Sequence, residues 1–281
     1  MTVRQPLLGS LTQGAIFSCA RAERYTACQV YGLVMTARCD LEQDKYNVLN
    51  YVPVVSLSDW LRVDGYEIAS ARAEAQTHSR LESALKSVNL PKSILASQTA
   101  ESILETYISR DGIPKNVAKA KPKFEDIVSR LKRHAEWQTG YSSENVDIFD
   151  CDNIGAAMIK ELVTHRLAGY YFLKTIAPDE QETGFVALLR EISHLPRGLA
   201  RLIAGGLEAD NHELTEKGEW LAYVDFSTDD FAMPLGQLES PHVEHLLQTF
   251  STLFGRIGLP DTPPEVINRF CQTRPVEQVN I

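Results

Sequence analysis

The sequence predicts an α+β protein: an N-terminal small antiparallel β-barrel, a helical middle region, and a C-terminal β-hairpin region with a closing helix. Three observations predict it. Residues 14–55 run as short apolar, β-branched segments separated by polar turns, the spacing of a small antiparallel barrel. Between residues 58 and 167, apolar residues recur at three- and four-residue steps. After residue 168, two apolar runs flank an acidic turn, and a long amphipathic stripe follows. The divisions fall at residues 1–57, 58–167 and 168–281.

Taken in order, Gly14-Ala15-Ile16-Phe17 opens the first strand after a Thr12-Gln13-Gly14 turn, and Val30–Thr36 forms the next. A polar turn over 40–47 leads into Val48–Val55, where Pro53 lacks the N–H a ladder needs and is expected at an edge, a strand end or a bulge. Ser58 reads as a helix start, and Ser79–Leu85 repeats apolar residues at helical spacing. Pro91, a good first-turn residue, opens a helix striped by Ala96, Ala100, Ile103, Leu104 and Tyr107, ending near Asp111-Gly112. Further helices are expected over 124–137 and 154–167, around a polar loop at 141–153. Strands are expected over 169–176 and 184–192. Ser240-Pro241 should cap the last helix, whose stripe runs through Val243, Leu246, Leu247, Phe250, Leu253, Phe254 and Ile257. The final twenty residues read as loosely structured.

The 281 residues suffice for one large domain or two ordinary ones, and the 44% hydrophobic content suffices for a sizeable core. A net charge of −9 opposes a chain-wide nucleic-acid surface but leaves room for a local basic patch. Five cysteines (Cys19, Cys28, Cys39, Cys151 and Cys271) are an odd number with no CxxC, so reduced thiols in the cytoplasm are expected. The N-terminus lacks the apolar core of a signal peptide, and no run approaches the roughly 20 apolar residues of a membrane helix. No membrane association is expected.

Candidate binding residues form two groups. At the first turn, Arg38-Cys39-Asp40 sets a cation and a carboxylate on either side of a thiol, with Lys45 nearby. The cation favours the thiolate and the carboxylate opposes it. Alternatively, Cys39 is a small buried residue and Asp40 closes an Asx-type turn. The second group is a basic run containing Lys119, Lys121, Lys123, Arg130, Lys132 and Arg133. It could follow a phosphate backbone, with Trp137 and Tyr141 stacking on unpaired bases, or be a solvated helix face. His242-Val243-Glu244-His245 spaces its histidines at i and i+3 instead of the i and i+4 of zinc proteases, so no metal site is expected. His165-Arg166 and Arg190-Glu191…His194…Arg197 could line a cleft between the helical and second β regions, or be satisfied at that interface. No phosphate-binding loop, dinucleotide fingerprint or GxSxG elbow is present, and no cofactor is expected.

The segments Gly14-Ala15-Ile16-Phe17, Leu33-Val34-Met35-Thr36 and Tyr51-Val52-Pro53-Val54-Val55 together resemble the small SH3-like barrel of MazF/PemK-type toxins, over roughly the first 60 residues. The resemblance implies the barrel. Its catalytic positions are unmatched. Ala15 stands where the family has an acidic residue, Tyr31-Gly32 where it has its arginine, and Val55 where it has a threonine or serine.

The expected function is therefore a non-catalytic cytoplasmic binding or accessory protein, with a protein partner or nucleic acid at the turn and the basic run. By fold analogy it would belong to a bacterial conflict system, of the toxin or phage-defence kind. The alternative is a MazF-like endoribonuclease or other nuclease, with Arg38, Cys39, Asp40 and Lys45 beside the scissile bond.

Overall fold

A computed structural model describes residues 3–110, 114–142, 144–178 and 180–255. It is an α+β fold built on a curled antiparallel half-barrel. The strands are β1 (Val3–Arg4), β2 (Ala15–Phe17), β3 (Val30–Val34), β4 (Val48–Ser56), β5 (Tyr170–Leu173), β6 (Phe185–Leu188), β7 (Ser193–Pro196), β8 (Leu207–Glu208), β9 (Phe231–Ala232) and β10 (Pro234–Leu238). The main sheet runs β1-β10-β2-β3-β4-β6-β5, with β7 also on β4; β8 and β9 pair separately. Strands from both ends of the chain thus share one sheet.

The long strand β4 organises it. One edge pairs with β3, from Val30↔Val55 to Val34↔Tyr51. The other edge is divided: Val54–Ser56 pair with β6, and Val48–Tyr51 pair with β7. Pro53 lies between those two partner segments, so its missing N–H interrupts neither. The expected C-terminal hairpin is present, with Tyr170↔Leu188 to Leu173↔Phe185 in register.

Strand alternation divides the core in two. Phe17, Val30, Val34, Tyr51, Val55, Val186 and Leu188 belong to one buried cluster; Ile16, Leu33, Val52, Val54, Tyr171, Leu173 and Ala187 belong to the other. Both faces are therefore covered, which explains why these strands read as continuous apolar runs.

The helices are α1 (Arg38–Glu42), α2 (Leu57–Trp60), α3 (Tyr66–Ser87), α4 (Ala100–Ile103), α5 (Lys115–Ala118), α6 (Lys121–Trp137), α7 (Ile154–Val163), α8 (Arg197–Gly205), α9 (His212–Glu216) and α10 (His242–Phe254). Val243 and Leu246 of α10 close the Ile16 face; Trp60, Met158, Leu162, Leu199 and Ile203 close the Phe17 face. Helices α3, α4 and α6 share a further core of Leu81, Leu85, Ile103, Phe124 and Ile127. No helix among the described residues is long and apolar enough to cross a membrane.

Several boundaries differ from expectation. The helix after β4 starts two residues early, because the Ser56 hydroxyl accepts from Asp59 N at 3.0 Å and donates to Asp59 Oδ2 at 2.6 Å. A π-helical turn, Leu61–Gly65, then joins α2 to α3. The helix expected from Pro91 is broken into a 3₁₀ turn, Lys92–Ala96, and a separate α4 capped by Thr99. The strand expected over 184–192 stops at Leu188. Ser240 does not cap α10; Pro241 precedes it, with no capping side-chain bond, after a cis Ser240–Pro241 peptide. The final residues, with Ile257 and Cys271, lie outside the described set.

Candidate functional site

The turn expected after β3 folds as α1. All of Arg38, Cys39, Asp40 and Lys45 are exposed. Cys39 is thus not a buried packing residue, and its Sγ lies 3.7 Å from Asp40 Oδ1. The tip is nonetheless braced. Lys45 N donates to Asp40 O at 2.8 Å, and Asn50 N donates to Thr36 Oγ1 at 2.7 Å. Asp44 accepts from Arg197 and, at 2.7 Å, from Arg201, while Arg197 also lies over the Tyr46 ring at 5.8 Å. Helix α8 thereby anchors the hairpin through Asp44, a residue the sequence did not single out. Arg38 shares a cleft of about 340 Å³ with Arg4, Gln237, Leu238, Glu239 and Ser240. Among the described residues, neither Arg4 nor Arg38 makes an ion pair.

The basic run lies on and just before α6, and most of its charge is answered. Lys121 approaches Glu125 at 3.9 Å, Arg130 holds Asp126 at 2.9 Å and Asp152 at 2.7 Å, and Lys132 holds Glu101 at 2.9 Å. Arg133 pairs with Asp147. Lys119 and Lys123 are exposed without an ion pair among the described residues. Trp137 is buried, with its indole N–H directed at Asp147 Oδ1 at 3.4 Å, so it is not placed to stack on a base. No group of three metal-ligating side chains occurs among the described residues. His245 instead meets the Tyr171 hydroxyl at 3.0 Å through Nδ1.

A second cleft, of about 230 Å³, lies where the half-barrel meets the first helices. The loop between β2 and β3 supplies Glu23, Arg24 and Tyr25, and the π turn supplies Asp64. The start of β5 gives Gly169 and Tyr170, and the end of β6 and the turn after it give Leu188, Arg190 and Glu191. Of these, Arg190 and Glu191 belong to the group that could line a cleft or be satisfied at an interface; Glu23, Arg24, Tyr25, Asp64 and Tyr170 were not singled out. His194 and Arg197 lie elsewhere, His194 against the Tyr223 ring at 5.3 Å and Arg197 on Asp44.

The local sequence explains the placement. A π turn fits an extra residue into the helix, and here it brings Asp64, only 8% exposed, to the cleft. Gly65 permits it: a Cβ there would stand 3.1 Å from the Trp60 ring and 3.2 Å from its carbonyl oxygen. Trp60 in turn meets Tyr170 edge-on at 5.2 Å. Gly169, at φ +97°, lets the Arg190 side chain lie across it, for a Cβ would come within 2.7 Å of Arg190 Nε.

Arg24 donates to Asp64 Oδ1 at 2.6 Å and also to Glu67. Glu191 Oε1 accepts from Glu23 N at 2.7 Å. Tyr25 is 2% exposed, and its hydroxyl is enclosed beside Asp64. Burial first, and Asp64 next, push both the Tyr25 and Tyr170 phenols above their usual range, so each stays protonated. Burial likewise pushes the Glu191 carboxyl up, against the lowering bond from Glu23 N. Among the described residues the cleft is lined by no thiol or aliphatic hydroxyl, but it offers hydrogen-bond donors and carboxylate oxygens together.

A scan of family models, a search of curated proteins and a search of solved structures each found no match to this chain.

Proposed function

We propose that the chain is a non-catalytic binding protein of the cytoplasm, an accessory subunit that contacts nucleic acid through the hairpin tip. One observation carries the reading: α1 buries none of its side chains, yet the tip is pinned by Asp44 and presents Arg38 beside Arg4 around a shared cleft. Two guanidiniums against the single carboxylate of Glu239 favour a phosphate, and bidentate arginine contacts suit its geometry. The answered charges of α6 contribute little. A protein partner has support in Leu7 and Leu8, which stand 51% and 83% exposed before Gly9 N, itself bonded to Ala204 O at 2.8 Å. Membership of a toxin or phage-defence system rests on the barrel resemblance alone.

The test is fluorescence anisotropy with a labelled single-stranded RNA at several salt concentrations. Binding should weaken as salt rises, and Arg38→Ala and Arg4→Ala should each weaken it while reducing the log–log salt slope by about one. Identical binding by the wild type and both variants would reject the tip as the contact. The same incubations run on a gel decide the nuclease reading: RNA cleavage that disappears in Arg38→Ala or Asp40→Ala would replace binding with catalysis.

A further inference from the structure

Helix α10 closes the Ile16 face of the sheet with Val243 and Leu246, and a cluster of rings joins it to β5 and to the turn after α7. His165 stacks on Tyr171 at 4.2 Å between centroids, with 23° between the planes, and meets His245 edge-on at 5.2 Å. The Tyr171 hydroxyl reaches α10 twice, at 3.0 Å to His245 Nδ1 and at 3.4 Å to His242 O. We propose that this cluster is an acid-sensitive latch: neutral imidazoles hold α10 on the sheet, and their protonation releases the helix and uncovers the Ile16 face.

The backbone holds His165 in this seam. It follows α7 at φ +55°, the left-handed region uncommon for a residue with a Cβ, and its N–H donates to Leu162 O at 2.9 Å. Among the described residues its Nδ1 is buried without a hydrogen-bond partner. A proton placed there would be neither hydrated nor bonded.

Charge gives the latch its sign. Tyr171 of β5 and His242 and His245 of α10 surround His165. Burial first, then His245 and His242, lower the His165 pKa, and no carboxylate opposes them. Glu161, four residues earlier on α7, is taken by Arg72 at 2.5 Å, and Glu244 of α10 is exposed. Arg166 adds a further positive charge, turned to Thr164 Oγ1 at 3.0 Å. Tyr171, pushed up to about 12 by burial, stays a neutral phenol. Protonated imidazoles at 165, 242 and 245 would therefore repel one another with no anion between them.

The hydroxyl bridge responds in the same direction. Beside a neutral His245 it can donate its one proton to the bare Nδ1. Once Nδ1 carries a proton, the hydroxyl must accept there, and its own proton is left the longer contact with His242 O. For His165, the open form takes up the proton near the ordinary 6.5 while the closed form refuses it. The closed form is thus favoured above that pH and loses favour below it. One such group raises the opening of α10 about tenfold between pH 7.5 and pH 5.5.

The experiment is hydrogen–deuterium exchange of the full chain, read by mass spectrometry at both pH values and corrected for the pH dependence of intrinsic exchange. Peptides from α10 should lose about tenfold in protection beyond any loss in peptides from β3 and β4. His165→Asn keeps a residue that tolerates the left-handed backbone and removes the titrating ring, so it should abolish the extra loss. Circular dichroism matching the parent identifies the variants that fold. Where His165→Asn does not fold, the double variant His242→Gln/His245→Gln decides, and its extra loss should be smaller than the parent's. Equal loss from α10 and from the β3–β4 hairpin, or an extra loss undiminished in the folded variant, would overturn the latch. None of these outcomes bears on RNA binding at the tip.

Discussion

At the scale of single residues, His134 shows how one committed proton fixes the state of its neighbour. The Thr77 hydroxyl donates to Ala73 O at 2.9 Å, so its only proton is spent. The 2.9 Å contact between Thr77 Oγ1 and His134 Nε2 must then be a donation from the imidazole, which leaves Nδ1 as the bare nitrogen. Among the described residues that atom is buried without a partner, so protonating it would create an unanswered charge in the interior. Burial accordingly pushes the His134 pKa below its ordinary 6.5; Glu74 opposes the shift, and His78 and Arg130 reinforce it. His165, stacked on Tyr171 at 4.2 Å, is lowered by burial and then by His245 and His242. For a depressed histidine, the unfolded chain takes up the proton near 6.5 while the folded chain still refuses it. The stability is present above that pH and is lost as the pH falls toward the folded value. The urea midpoint should therefore decline between pH 7 and pH 5.5, and in His134→Gln, whose amide still donates to Thr77, the decline should be smaller. A decline equally steep in the variant would show that other groups cause it.

At the scale of elements, close approach of backbones decides which positions tolerate a methyl group. Gly236 of β10 lies beside a register shift against β2, and a Cβ there would stand 2.2 Å from the Ile176 carbonyl oxygen and 2.5 Å from Val3 Cγ1. The carbonyl belongs to the backbone and has no rotamer to escape into. Gly236→Ala should destabilise by about 1–3 kcal/mol or more. Gly205 ends α8 with nothing within 4 Å of such a carbon, so Gly205→Ala should be within about 0.5 kcal/mol of the parent. Chemical denaturation of the pair checks this, and similar midpoints would refute the close approach at β10. The same strand shows what the sequence conceals. Pro234 and Gly236 are both strand breakers, so β10 reads as a loop; it exists because Ala15–Phe17, more than 200 residues earlier, offers it an edge. Strand β7 is similar, a four-residue Ser-His-Leu-Pro segment held by Val48–Tyr51. By contrast, the β3–β4 hairpin, α6 and α10 were legible because their periodicity is local. The cleft divides the same way. Arg190 and Glu191 stand out as charges closing an apolar run, whereas Asp64 reads as one more exposed helix residue until the π turn moves it inward. The neighbouring Gly65, inside a helical run, is the one local signal of that turn.

At the scale of the whole molecule, the sheet joins distant parts of the chain, and that sets what can fold alone. Residues 3–56 supply β1 to β4, but β2 needs β10 on one edge and β4 needs β6 and β7 on the other. The Ile16 face is finished by Tyr171, Leu173, Phe185, Ala187, Leu238, Val243 and Leu246, all beyond residue 168. The Phe17 face is finished by Trp60, Met158, Leu199 and Ile203. A fragment of residues 1–57 would therefore keep only the β2–β3–β4 pairing, with both faces open and the outer edge of β4 unpaired. Three strands hold together only when a hydrophobic face is covered, and here the covering residues lie elsewhere in the chain. Helices α3, α4 and α6 bring much of their own core, through Leu85, Ile103, Phe124 and Ile127, and α7 covers only part of the Phe17 face, so these helices by themselves do not repair the sheet. We predict that residues 1–57 made alone give a collapsed amide spectrum in two-dimensional ¹H–¹⁵N NMR, and that adding a separately made fragment of residues 168–255 sharpens and disperses it. A well-dispersed spectrum from the short fragment by itself would mean that the hairpin strands hold their own fold, and that the later strands are added to a sheet already formed.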